Sequence, residues 1–274
     1  MNEYTEFTHD GPITASITLA EGSATVTAHE SDQVLVEIKP AQRKIEGDND
    51  AADLARVEFE NGHLRVVAPE KPQNWLFKKQ IGVHVSVKVP VGSDVAVKST
   101  SAPISLHGKL GPVSINTVAG SATVEQATSV RANTVSGSIS VIDAIDEFRA
   151  NTASGQVRAD HVGGDLTAKT VAGAVIAERV DGSARVNTLS GGIELGALKS
   201  GVCRANTVSG RISLGVVAGT DVWMDLDAKA GTVTSELAAG DTSPAPSADE
   251  GTSLEVRARS VSGDIYLHRA NAYT

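Results

Sequence analysis

A chain of 274 residues with a formal net charge of −9 lacks the positive field that broad nucleic-acid binding needs to displace counterions. Only 3 % of the residues are aromatic, while 41 % are hydrophobic and 26 are glycine, so small and β-branched side chains have to build the core. A single cysteine, Cys203, excludes an internal disulfide framework.

The polar, acidic stretch from Met1 to Asp10 has neither the basic start nor the apolar centre of a signal peptide. No window approaches 18 consecutive apolar residues, so no membrane span is expected, and the expected location is the cytoplasm. Pro12 to Lys39 reads as β-structure: Ile13, Ala15, Ile17 and Leu19 alternate, Glu21-Gly22 turns, and Ala24, Val26 and Ala28 resume the alternation. Val34, Val36 and Ile38 continue it, Pro40 to Asp50 reads as a loop, and Ala51 to Arg56 predicts a short helix capped by Asp50. Val57–Phe59 and Leu64–Ala68, joined at Asn61-Gly62, predict a hairpin, because Asn-Gly suits a two-residue turn. Trp75-Leu76-Phe77-Lys78-Lys79 then interrupts. Trp75 and Phe77 beside lysines suit a partner or membrane interface, or a cover over an open end of the fold. Val83, Val85, Val87 and Val89 form the cleanest alternating strand, ended by Pro90-Val91-Gly92-Ser93.

From Asn116 onward one phrase recurs. Asn116-Thr117-Val118-Ala119-Gly120 returns as Asn133 to Gly137, Asn151 to Gly155, Lys169 to Gly173, Asn187 to Gly191 and Asn206 to Gly210. Its glycines step by 17, 18, 18, 18 and 19 residues, which marks a repeat architecture. After each glycine comes an alternating pair such as Ile139/Val141 or Ile193/Leu195, and before it a second strand such as Leu166/Ala168/Thr170 or Cys203/Ala205/Thr207. The same template fits Val95/Val97/Ser99, Val113/Ile115/Thr117, Met224/Leu226/Ala228 with Gly231, and Val256/Ala258/Ser260 with Gly263. The fold expected is all-β: a single-chain β-solenoid with two strands and about 18 residues per coil, neighbouring coils pairing at roughly 4.8 Å. Residues 1–94 form an N-terminal β region continuous with it, and 95–274 carry the repeats. A Pro, Ser, Asp and Gly-rich loop at 238–252 accounts for the 32-residue step from Gly231 to Gly263. Each repeat glycine is expected to make a tight turn with positive φ, and Cys203 to be a small buried hydrophobe.

The Asn-Thr-Val-Ser-Gly phrase with Gly-x-Ile-x-Leu after it, and the lead-in Val83 to Gly92, resemble the bacterial putative-adhesin family of β-strand-repeat proteins, a family of unknown function. That resemblance covers roughly Val83 to Leu267. It implies a β-solenoid, sometimes tied to the cell envelope, and supplies no catalytic residue.

Two outward columns are the candidate binding residues: Arg131, Arg149, Thr167, Arg185, Arg204 and then Asp225, beside Asn116, Asn133, Asn151, Lys169, Asn187 and Asn206. A ladder of guanidinium forks could hold a repeating anion; the alternative is a solvated face with hydrogen-bonded amide rows. The opposite outward face is mostly small and weakly charged. Seven scattered histidines have no metal-ligand spacing, and Asp143, Asp146 and Glu147 read as a charged turn rather than a glycosidase pair. No cofactor, metal or catalytic residue is expected. The reading is a non-catalytic scaffold that binds a protein partner or itself, the alternative being a module for an acidic polymer or carbohydrate.

Overall fold

The computed structural model of the protein describes residues 4–42, 46–69, 82–237 and 253–270. The protein is all-β, with 23 strands and one helix among those residues. The backbone divides into two compact units, Met1–Ile139 and Ser140–Thr274. Trp75, Phe77 and the 238–252 loop lie outside the described residues.

The first unit comprises β1 (Tyr4–Thr8), β2 (Thr14–Leu19), β3 (Gly22–His29), β4 (Gln33–Pro40), α1 (Glu46–Asp53), β5 (Arg56–Glu60), β6 (His63–Val67), β7 (Val83–Pro90), β8 (Asp94–Ser99), β9 (Ile104–Leu110), β10 (Val113–Thr117) and β11 (Ala122–Asn133). Two parallel ladders run through it. One is β6–β2–β8–β10 followed by the end of β11, and the other is β7–β3–β9 followed by the start of β11. The alternating residues behave as their period demands: Ala15, Ile17, Leu64, Val66, Val85, Val87, Val97 and Leu106 are at most 1 % exposed. The predicted hairpin is present as antiparallel β5 and β6, with Asn61 and Gly62 at φ 50° and 76°, the two left-handed residues of a hairpin turn. The helix begins earlier than its propensity suggests. It spans Glu46–Asp53, so Asp50 is inside α1 rather than its N-cap. β1 has no alternating signature and was not expected from sequence. It is fixed by antiparallel pairing with β4 and by Phe7 stacking on Phe59 at 5.0 Å between ring centres.

The second unit comprises β12 (Ile139–Thr152), whose first residue closes the other unit, β13 (Val157–Val162), β14 (Asp165–Thr170), β15 (Val175–Val180), β16 (Ala184–Ser190), β17 (Ile193–Leu198), β18 (Gly201–Ser209), β19 (Ile212–Val216), β20 (Asp221–Ala230), β21 (Val233–Ser235), β22 (Ser253–Ser262) and β23 (Ile265–Arg269). Here the parallel ladders are β12–β14–β16–β18–β22–β20 and β13–β15–β17–β19–β23–β21. Leu166 pairs with Ala184 and Ala184 with Cys203, so the register is the repeat spacing. The interior rows are thin. Ala150, Ala168, Ala205 and Ala258 are fully buried along one ladder, and Ile193, Leu195, Ile212, Leu214, Ile265 and Leu267 are at most 1 % exposed along the other. Each such Leu or Ile contributes about 1.5–3 kcal/mol by leaving water.

In both units, strand order departs from chain order. β2 lies between β6 and β8, and β3 between β7 and β9. Likewise β22 lies between β18 and β20, and β23 between β19 and β21. The last segment is therefore inserted beneath the one that precedes it in sequence. In consequence Arg204 is followed in its column by Arg257, and only then by Asp225.

Candidate functional site

The recurring phrase is a turn whose parts have separate duties. Its threonine points inward, and in the first three copies its Oγ1 accepts the N–H of the glycine three residues later: Thr117 from Gly120 at 3.0 Å, Thr134 from Gly137 at 2.9 Å, Thr152 from Gly155 at 3.0 Å. The glycine is there for close approach, and none of the six phrase glycines has positive φ, contrary to the sequence expectation. A Cβ on Gly137 would stand 2.0 Å from the Gly120 carbonyl oxygen, and one on Gly191 would stand 2.1 Å from that of Gly173. The residue after the threonine is left outside. Val118 and Val135 in the first unit, and Val171, Leu189, Val208 and Val261 in the second, are 44–52 % exposed. Register places Leu189, Val208 and Val261 side by side, since Thr188, Thr207 and Ser260 align before them and Ser190, Ser209 and Ser262 after them. The sequence conceals this row, because each of its residues sits inside a turn phrase.

In the second unit the arginine column reads Arg149, Thr167, Arg185, Arg204, Arg257, Asp225 in ladder order. Arg149 is ion-paired with Glu147 at 2.5 Å, and Arg257 is paired with Glu255 and lies 5.4 Å over the Trp223 ring. No carboxylate lies within 4.0 Å of Arg185 or Arg204 among the described residues. Arg131 is exposed in the first unit. The asparagines form amide rows: Asn133 Nδ2 donates to Asn116 Oδ1 at 3.0 Å, and Asn206 Nδ2 to Asn187 Oδ1 at 2.9 Å. Asn151 aligns with Lys169, and Lys169 with Asn187.

A second constellation had no signature in the sequence. Asp143 and His161 stand 18 residues apart, and Asp143 Oδ1 meets His161 Nδ1 at 2.8 Å. His161 Nε2 is 3.6 Å from Asp181, which also takes Arg179 at 2.7 Å and Lys199 at 4.0 Å. Burial pushes the Asp181 carboxyl up, but the hydrogen bond and charge of Arg179, with Lys199 and His161, hold it below the ordinary value. Arg158 bridges Asp160 and Glu178. Of these groups Asp143, Asp160, His161, Glu178 and Arg179 border a cleft of about 530 Å³ whose apolar lining includes Ile142, Ala197, Val217, Ala218 and Ala270. The acidic residues do not form the expected turn, since β12 runs through them. Asp143 is held by His161 and Glu147 by Arg149. Only equal repeat offsets could have pointed to the cluster.

Cys203 is fully buried, and burial pushes its thiol up to about 12. Among the described residues no group of three or more His, Cys, Asp or Glu could hold a metal ion. Nor is any helix among them long and apolar enough to cross a membrane.

Three solved structures show a likeness along nearly the whole chain. An adhesin, so described as putative, from Parabacteroides merdae is 10 % identical with a TM-score of 0.47, covering 97 % of this chain and 95 % of its own. A protein of Parabacteroides distasonis described as a putative lipid binding protein is 11 % identical with a TM-score of 0.46, covering 98 % and 96 %. A putative adhesin from the same organism is 12 % identical with a TM-score of 0.44, covering 97 % of each chain. No curated protein matches. Residues 14–272 match the family described as Toastrack DUF4097, so this chain belongs to that family, whose function is unknown.

Proposed function

We propose that this protein is a non-catalytic, adhesin-like β-solenoid scaffold, with two strands and about 18 residues per coil, that binds a protein partner or itself. The observation that carries the reading is the exposed apolar row of Val171, Leu189, Val208 and Val261. Single apolar residues on a surface are ordinary, but a contiguous row is the kind of patch that marks an interaction site. Backbone stacking fixes the row at strand spacing, so it is rigid before binding and little ordering entropy is lost on contact. The uncharged flanks, Ser190, Ser209 and Ser262, fit a partner protein that offers an uncharged apolar strip. The test uses the whole chain as bait, with a Val171→Ser, Leu189→Ser, Val208→Ser variant beside it. The expected result is a defined protein retained by the first and lost by the second, with equal unfolding midpoints. Equal retention by both baits sinks the assignment.

The polymer-binding reading rests on Arg185 and Arg204, adjacent in register with no carboxylate in range. It predicts salt-sensitive retention of polyphosphate or an acidic polysaccharide, abolished by Arg185→Ser with Arg204→Ser. Retention that survives the substitutions, or none at any salt concentration, removes it.

A further inference from the structure

Among the described residues the second unit ends on an open strand edge: β20 pairs only with β22, and β21 only with β23. One strand inward, Leu254, Val256 and Ala258 are fully buried, whereas their register partners Val222, Met224 and Leu226 are partly exposed. A stack of repeats needs its last turn covered, and a long edge carrying apolar side chains is a template for another strand. In the first unit that duty falls to β4 and β5, antiparallel to β7 and β6.

The β20 edge fits its own reverse. The Ala230 carbonyl accepts the Gly263 N–H at 3.0 Å on the β22 side. Strand alternation then turns the backbone groups of Asp221, Trp223, Asp225, Asp227 and Lys229 toward the open side. Set antiparallel to itself with Asp225 on the two-fold axis, the strand puts Lys229 opposite Asp221 twice, Met224 opposite Leu226, and Val222 opposite Ala228. Asp225, which meets its own copy, already has Arg259 at 3.7 Å. Centring on Leu226 instead would set Asp225 against Asp227 twice. An edge about 33 Å long and two ladders deep, the ladders about 10 Å apart, covers about 650 Å² on each copy, near the lower bound for a stable interface.

We infer that a second copy of this chain docks on the β20 edge as an antiparallel, two-fold strand pair that closes the open interior of both copies. This goes beyond the partner surface proposed above and uses other residues. The test is light scattering on the full chain from about 1 to 100 μM, which brackets the micromolar end of the range that such interfaces cover. The expected result is a dimer that Lys229→Asp weakens about tenfold and that adding Asp221→Lys to the same chain restores. Both positions are exposed, so neither change touches the core. A monomer throughout, or a dimer indifferent to Lys229→Asp, overturns the inference. A monomer whose β20 amides resist hydrogen exchange overturns it too, and assigns the edge to a segment of the same chain. Leu189→Ser leaves this dimer intact while it weakens partner capture, so the two readings fail separately.

Discussion

Replacing Gly191 with alanine tests whether the glycine of the phrase is there for close approach or for backbone freedom. Its Cβ would be placed 2.1 Å from the Gly173 carbonyl oxygen, 2.8 Å from that carbonyl carbon and 3.0 Å from Thr188 Oγ1. The first distance falls more than about 1 Å short of van der Waals contact, and the obstructing atom is backbone, which cannot rotate aside. The turn has to lift, straining the bond from Gly191 N–H to the Ser209 carbonyl at 3.1 Å. Overpacking of this kind costs about 3 kcal/mol. For a cooperative unit the size of residues 140–274 that lowers the melting temperature by about 10 °C. The neighbour supplies the control, because a Cβ on Gly192 would meet only the Arg211 carbonyl oxygen at 3.7 Å. Gly192→Ala should be neutral or stabilise by about 0.4–1 kcal/mol through the unfolded chain. Thermal melts by far-UV circular dichroism, checked against urea midpoints at constant m-value, measure both. Equal melting temperatures for the two variants would refute the close-approach account.

Two further outcomes follow from buried polar groups. Thr152→Val removes the acceptor of the buried Gly155 N–H and should cost about 1–3 kcal/mol. Thr188→Val should be neutral or stabilising, since the Thr188 hydroxyl is buried without a partner among the described residues and the Gly191 N–H already donates to Ser209; urea midpoints separate them, and equal losses would contradict this account. Cys203, pushed from 9.0 to about 12 by burial, holds its proton after the unfolded chain has lost it. Stability should therefore fall above pH 9 by about 1.4 kcal/mol per pH unit, and Cys203→Ala should flatten that slope. The thiol should resist alkylating reagents until the protein unfolds; rapid labelling of the native chain would show that the site opens.

The repeat period and the inward residues were legible in the sequence, because a two-residue alternation and an 18-residue return are local facts that any stacked strand must obey. Leu166, Ala168, Ile193 and Leu195 needed no structure to be placed inside. Asn133 and Asn206 could be aligned with Asn116 and Asn187 for the same reason. Tertiary structure alone decided what depends on which turn lies against which: Arg257 rather than Asp225 beside Arg204, and β2 between β6 and β8. It decided too that Asp143, His161 and Asp181 meet. The sequence repeats the pattern of every turn equally, so β18 accepts β20 or β22 with the same alternation. Only the burial that each order achieves, complete for Leu254 and Val256 but partial for Val222 and Met224, distinguishes the turn that lies inside from the one left at the edge.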